Sequence, residues 1–587
     1  MGDIYRAEQA RMSFASEAAP GGYPEIIDTT DDAGDWTALL SSAHAAGSRS
    51  LTFDTSTGTI AVGNYILIGT AGNANAEVRR VISLGSYSGG TGTTGTIFID
   101  YPLGFPHANN DPLDERDNTY PDGANYTAVS AGGHAQGTAG EGGINFATFL
   151  PGVYETITTP DLTPEFLPQY FLKDSADRNW SYMYRGKQSF NGALPNILLL
   201  NGYPLKYAFG QIASIGTDDG TGGSTLSAAS LVGAREITLS SVTGYAAGEF
   251  IQVDVTTKAE VRQILAISSL TITLNYPLMV AHNSGVACNE VIAPYTHTIQ
   301  ESAKLPTMSW NVLMRDSGET AANDFIRRFV GGTVNRATLS ADEGEMLRYS
   351  WDDVQFLDLV HNQTRNSAVT GDSSTADIMN NSSNMLLSPL GIGGDMPNAS
   401  GAFGAPVYPT TEPYYYSQGC LTFFGVEFAR IRNFSLEINN NIEPRYYMKD
   451  RGGKRIPSEI QESRREYRLT ATIALPDTFA ATATTRSLWK ELLLEGNYAG
   501  LGNTAALTGF DMVLTFTRGT NDTITISSPS NATTSSPFGS SSTFDSQGCF
   551  FIRATHNIET DSPLQVDGEI IMRNMSIVVV DSIPVYP

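Results

Sequence analysis

Five carboxylates crowd the stretch SADEGEMLRYSWDD: Asp342, Glu343, Glu345, Asp352 and Asp353. Paired carboxylates can serve as general acid and base when burial or a like-charged neighbour raises one pKa. Here a turn leads into a strand with polar alternation, so the pattern predicts a solvated acidic surface. Gly90, Gly92 and Gly95 spell GxGxxG. A phosphate-cradling loop needs a helix after that pattern, and this one stands in a Gly/Thr-rich hairpin loop before a strand. The seven histidines are scattered, no two at metal-ligand spacing. Cys288, Cys420 and Cys549 form no CxxC pair. Two of them close the tetrapeptide SQGC, at 417–420 and 546–549, each before an apolar run. That reads as two strand starts with buried thiols; a Cys420–Cys549 bridge is the alternative. HExxH, P-loop and GxSxG patterns are missing. These residues predict no enzyme, no cofactor and no resident metal.

The elements that position these residues are strands. The chain has 587 residues, long enough for two to four domains, and only 17% are charged. Gly, Thr, Ser and Asn abound, and β-branched and aromatic residues fill the apolar positions, the mix of an all-β protein with many turns. No stretch approaches the ~20 apolar residues that span a membrane. The first twenty residues lack the apolar run of a signal peptide and Arg6 breaks the myristoylation pattern, which predicts assembly in a cytoplasm. The net charge is −25, with 8 Lys against 28 Arg. Such a surface suits a high-salt cytoplasm, and equally a protein that must not adhere to DNA.

One unit occurs twice. GSRSLTFDTSTGTIAVGNYILIG…EVRRVISL…YPLGFPHA covers 47–108, and GAREITLSSVTGYAAGEFIQVD…EVRQILAI…YPLMVAHN covers 233–283. Each copy carries EVR (77–79, 260–262), YPL (101–103, 276–278) and then a histidine at one offset, His107 or His282. Short alternating strands with glycines at the turns predict a small β module of about 60 residues, the first copy holding an extra Gly/Thr loop at 85–96. One histidine per module makes no metal site, so each reads as a loop or core residue. Helix signals are few: TTRSLWKELLLEGN (484–497), with one apolar face, a capping Thr and Gly496 as terminator, and a shorter helix from Trp36 to about Ala45. In the C-terminal half, 421–439, 466–475, 509–519, 523–528 and 565–585 read as strands, 421–439 as one long strand.

A basic run stands out. Residues 430–468 hold ten of the 36 Lys and Arg, around LEINNNIEPRYY (436–447).

Several stretches resemble the tail tube proteins of long-tailed bacterial and archaeal viruses. They are FNGALPNILLLNGYPLKYAFG (190–210), YTHTIQESAKLPTMSWNVLM (295–314), IRRFVGGTVNRATLSADEGEMLRYSWD (326–352), and RNFSLEINNNIEPRYY with RREYRLTATIAL. The resemblance covers 190–212 and 294–587, and the order of the pieces carries it. It implies a mainly β fold, a β-sandwich with one flanking helix, assembled into hexameric rings that stack around a β-lined lumen. It implies a homo-hexamer, partners among the other tail proteins (terminator and tip), and viral DNA passing through without specific binding. The chain then divides into an N-terminal arm (1–46), a first β module (47–110), a tube domain in two parts (111–225 and 294–587) and a second, inserted module (226–293). Both modules are expected to be peripheral, with host-surface contact open to them. Residues 440–465 become a loop reaching a neighbouring subunit, and Arg445, Lys449, Arg451, Lys454, Arg455, Arg464 and Arg465 its inter-subunit contacts. The long strand 421–439 becomes an edge that pairs between subunits. The competing reading is a carbohydrate- or receptor-binding virion protein with the β modules as adhesive domains.

Overall fold

The computed structural model describes residues 11–16, 36–116, 156–170, 180–361, 412–484, 511–529, 549–557 and 565–586, apart from short breaks within those ranges. Two large antiparallel sheets and one closed barrel account for nearly all of its strands. The first sheet runs Cys549–Asn557, Gln565–Met572, Glu466–Ala474, Ile431–Asn439, Phe325–Asp342, Arg348–Phe356, Tyr182–Leu198, Thr158–Gln169. The second runs Glu236–Thr238, Thr271–Leu274, Glu260–Ser268, Phe250–Val253, Ala287–Glu301, Ser576–Asp581, Asp522–Ser528, Met512–Gly519, Gly419–Phe423, Val426–Phe428, with Gly210–Thr225 also paired to Ala287–Glu301.

The sheets face each other as a sandwich because alternate residues of each strand are apolar and turn the same way. Leu194, Trp351, Leu339, Leu436, Leu469 and Ile570 from the first sheet join one core with Ile299, Leu514, Ile524 and Ile577 from the second. The one α-helix among the described residues, Leu205–Phe209, is buried over its whole length. It ends at Gly210 (φ 148°), where a Cβ would come within 2.5 Å of Gln300 O.

The 18-residue strand Phe325–Asp342 serves two sets of partners. Its first part pairs with Met308–Met314 and Asp358–His361, and its second with Arg348–Phe356 and Ile431–Asn439. The change falls at Gly331 (φ 69°) and Gly332, where a Cβ would meet Leu357 at 2.6 Å and Phe356 at 2.5 Å. Any side chain at either position would collide with the turning sheet. Arg11–Ser16, from the stretch expected to be an arm, adds a strand beside Met308–Met314.

The two repeats share one cyclic order of strands. In the first copy Thr37–Leu40, Ser50–Thr57, Gly95–Ile99, Glu77–Leu84, Tyr65–Ile68 and Pro112–Arg116 close a barrel around Trp36, Phe53, Ile66, Val81 and Ile97. In the second the same sequence of positions is Gly210–Thr225, Glu236–Thr238, Thr271–Leu274, Glu260–Ser268, Phe250–Val253 and Ala287–Glu301; a Leu226–Leu239 bridge links the first two. Its first and last strands are also strands of the sandwich, so this copy is continuous with the second sheet and is not closed by strands of its own. It keeps its own small core, which includes Ile237, Ile251, Ile264 and Cys288.

Three further expectations meet a different structure. The helix from Trp36 to Ala45 is absent: Thr37–Leu40 is a strand, because Trp36, Ala38 and Leu40 alternate into the barrel core and a helix would scatter them. The 421–439 pattern is two strands on the second sheet, Gly419–Phe423 and Val426–Phe428, then Ile431–Asn439 on the first. Ile431–Asn439 is not an edge, since Phe325–Asp342 and Glu466–Ala474 flank it on both sides. The helix at 484–497 lies outside the described residues, except that Thr484 ends a two-residue strand.

Candidate assembly surface

The triple Asn is an internal clamp. Asn440 is 1% exposed, its Nδ2 donates to the carbonyls of Ala208 and Val334, and its Oδ1 accepts from Arg465 Nε at 2.8 Å. Arg465 donates further to Phe209 O and Ser302 O. Asn441, at φ 47°, donates to Arg464 O, and Ile442 N donates to Asn335 Oδ1. Asn tolerates the left-handed backbone and satisfies local polar groups, which is why three of them stand at this exit from the sheet.

Of the predicted contact residues, Arg465 is therefore engaged within the subunit. Arg445 lies on a short ribbon, Glu443–Arg445 against Glu459–Gln461, and contacts Glu443 at 3.0 Å and Gln461 at 2.9 Å. Arg464 is exposed, with Glu466 3.5 Å away. Lys449, Arg451, Lys454 and Arg455 lie outside the described residues. The same ribbon leans on the end of the first sheet: Tyr446 Oη donates to Gln188 O, and Lys187 Nζ sits 5.8 Å from the centre of the Tyr446 ring.

That end of the sheet carries a feature the strand pattern did not announce. Beyond Gly186 the Thr158–Gln169 and Tyr182–Leu198 strands continue as a ribbon exposed on both faces. Phe166 (57%), Leu167 and Tyr170 stand out on one side of the hairpin. Trp180 (50%), Tyr182, Met183 and Tyr184 stand out on the other, with the Tyr182 and Tyr184 rings stacked at 6.4 Å. The outer strand, TTPDLTPEFLPQ, has proline at 160, 164 and 168. Proline cannot donate to a ladder and is tolerated where its missing N–H faces away from the paired neighbour. Pro164 and Pro168 leave this outer strand two backbone donors short. The signal was legible: proline at every fourth position of an otherwise extended stretch marks a guarded edge.

The opposite end is different. Among the described residues the Cys549–Asn557 strand pairs only with Gln565–Met572, and it contains no proline. Ile552 is 50% exposed and Ile571, on the neighbouring strand, 39%. Asp567, Glu569 and Ile571 alternate with buried Gly568, Ile570 and Met572, which puts them on the face away from the core.

The remaining chemical candidates resolve into structure. The five carboxylates separate: Arg432 holds Glu343 at 3.1 Å, Arg348 is near Glu345, Thr338 donates to Asp352 and Asn335 to Asp353. Burial, opposed by the Thr338 hydroxyl, raises the Asp352 pKa. The GxGxxG loop is a hairpin loop pinned by Ser56 Oγ to Gly90 O and Thr93 O. No disulfide joins Cys420 and Cys549, which lie on different sheets. No group able to hold a metal occurs among the described residues.

The repeated EVR…YPL…His skeleton is an ionic core in the second copy. Glu260 and Arg262 are buried 2.5 Å apart, Met279 N and Val280 N donate to Glu260, and His282 Nε2 is 3.0 Å from it. Burial alone would raise the Glu260 pKa, but Arg262, His282 and the backbone donors hold it below the usual value. Lys206, from the buried helix, approaches this cluster with its Nζ over Tyr203 and Tyr207. Burial, and then the Arg262 charge, lower its pKa to about 7. Sequence reasoning missed one arrangement: Ser214 Oγ to His297 Nδ1 at 2.8 Å, with Asp581 3.4 Å from Nε2. All three are buried and Nε2 donates to Ile583 O, so the histidine, stacked on Tyr586 at 3.7 Å, fastens residues 581–586 to the sheet.

A family model described as phage tail tube protein matches residues 174–567, about two thirds of the chain. No curated protein matches it.

Proposed function

The chain belongs to the phage tail tube protein family, and from that premise we propose that it builds stacked hexameric rings that form the genome conduit of a long, siphovirus-like tail. The family is a structural one and places the chain in the virion tail, where it assembles with itself and with other tail proteins. The observation that carries the finer reading is the sandwich itself, whose first sheet presents two chemically different ends. Closed rings need a head-to-tail interface of that kind, because two copies of one self-complementary patch would stop at a dimer.

On this reading assembly takes place in the host cytoplasm, terminator and tip proteins close the ends, and DNA passes an acidic or neutral lumen without a specific site. The exposed part of the basic loop, Arg445, Lys449, Arg451, Lys454, Arg455 and Arg464, meets acidic surface on a neighbouring copy, while Arg465 holds the loop's base. The first module, a barrel closed by its own strands, is the part suited to host-surface contact. Negative-stain imaging of the purified protein tests the proposal: stacked rings are expected, and a preparation that stays monomeric at high concentration overturns it. Charge reversal at Arg451, Lys454 and Arg455 is expected to weaken stacking while leaving the melting temperature unchanged.

A further inference from the structure

We propose that the exposed apolar residues of the ribbon, Phe166, Leu167 and Tyr170 on one strand and Trp180 and Tyr182–Tyr184 on the other, seat on a second copy of this chain, against the opposite end of the first sheet around Ile552 and Ile571. The inference rests on the tail-tube reading and names the surfaces that join subunits within it.

A two-stranded ribbon wetted on both faces is marginal on its own. One carrying Phe166, Trp180 and Tyr184 at the surface has the composition of a binding hot spot. Its outer strand lacks donors at 164 and 168, which disfavours pairing with a further strand. Contact there must run through side chains. The chain cannot cover the ribbon with its own far end: eight strands lie between the two edges inclusive, and seven steps of about 4.8 Å separate them by roughly 34 Å.

The far end offers what the ribbon lacks. Ile552 and Ile571 expose branched apolar side chains on adjacent strands, and Asp567 is exposed on the same strand face as Ile571. The basic loop begins beside the ribbon, at Tyr446, so a copy docked by its ribbon brings that loop to the same neighbour. Residues 430–468 hold 10 basic and 6 acidic residues, while the rest of the chain holds 26 basic against 55 acidic. Apolar packing and charge thus point to the same neighbour.

The test uses the full chain. Wild type, a ribbon variant (Phe166→Ser, Trp180→Ser, Tyr184→Ser) and an acceptor variant (Ile552→Glu) are compared by sedimentation velocity and negative stain. Far-UV circular dichroism and melting confirm that each folds. Wild type is expected to form rings, and each variant to lose at least tenfold in assembled fraction. Mixed, the two variants have one working ribbon and one working acceptor between them, so they should yield a dimer and nothing larger. In a second measurement, acrylamide quenching of Trp180, isolated by comparison with Trp180→Phe, should be strong in the monomeric acceptor variant and suppressed in wild-type rings. Rings from the ribbon variant, or a Trp180 equally quenched in rings and monomer, would overturn this inference and leave the tail-tube reading standing. A wild type that never assembles would overturn both.

Discussion

The two copies of the repeat put one skeleton to opposite uses. The first closes on itself: Pro112–Arg116 pairs with both Thr37–Leu40 and Tyr65–Ile68, and no strand is shared with the sandwich. In the second, the equivalent closing strand is the start of Ala287–Glu301, which runs on into the sandwich and pairs there with Ser576–Asp581. The interiors differ accordingly. The first copy centres on Trp36 packed edge-on against Phe53 at 5.0 Å, and its His107 pairs with Asp111. The second places Glu260, Arg262 and His282 where it joins the sandwich, within electrostatic reach of Lys206 from the sandwich's helix. A module can be inserted as a bead or as an extension of a sheet.

Excision breaks the comparison most sharply. Removing 226–286 strips Glu260 and Arg262 from the fully buried Lys206 and deletes four strands, of which Phe250–Val253 pairs directly with the sandwich strand Ala287–Glu301. We expect cooperative melting of the sandwich to be lost, an effect exceeding the ~3–5 kcal/mol of a single broken buried ion pair. Removing 36–116 should leave that transition within about 2 °C in calorimetry. Equal effects would show that the first copy also braces the sandwich.

Point changes repeat the contrast at smaller scale. Glu260→Ala leaves Arg262 without its carboxylate in an apolar setting and should cost about 3–5 kcal/mol by denaturant titration. His107→Ala removes the contact with a partly exposed Asp111 along with a modest buried volume, and should cost about 1–2 kcal/mol.

Lys206 gives the comparison a pH signature. Between pH 7 and 10.5 the unfolded lysine holds a proton that the folded one has released, so stability should rise with pH across that window. Below pH 7 the cost of burying the ammonium is present in full. Lys206→Met should flatten the rise and stabilise the protein at pH 7 by roughly 1–4 kcal/mol, read from melts at several pH values. The smallest effect is expected at Arg464, whose exposed pair with Glu466 should contribute under about 0.5 kcal/mol to folding when replaced by Ala.

The strands, the repeat and the family resemblance were legible in the sequence because alternation and glycine placement are local signals. The short segment Trp36–Leu40 misled, since four or five residues fit a helical or an extended pattern equally and the barrel decided between them. The 421–439 run hid a crossing between sheets, because alternation records which face is buried and not which sheet the strand joins. Arg465 looked like a surface contact because charge in sequence says nothing of carbonyls at Phe209 and Ser302 that converge on it only in the fold. The exposed ribbon was not singled out, because residue type alone does not tell an exposed aromatic from a buried one.

The prolines of Thr158–Gln169 have a consequence best put in the vocabulary of polymerisation. A monomer that links through backbone pairing at both ends grows without limit, as cross-β fibres do. Along this eight-strand path one end has lost donors at positions 164 and 168 and the other has not. By strand addition through these ends the subunit is monofunctional: two open ends can meet, and growth then terminates. Newly made copies crowded together before assembly can therefore form a capped pair but not an endless ribbon by that route, which leaves side-chain fit to govern how far the array extends.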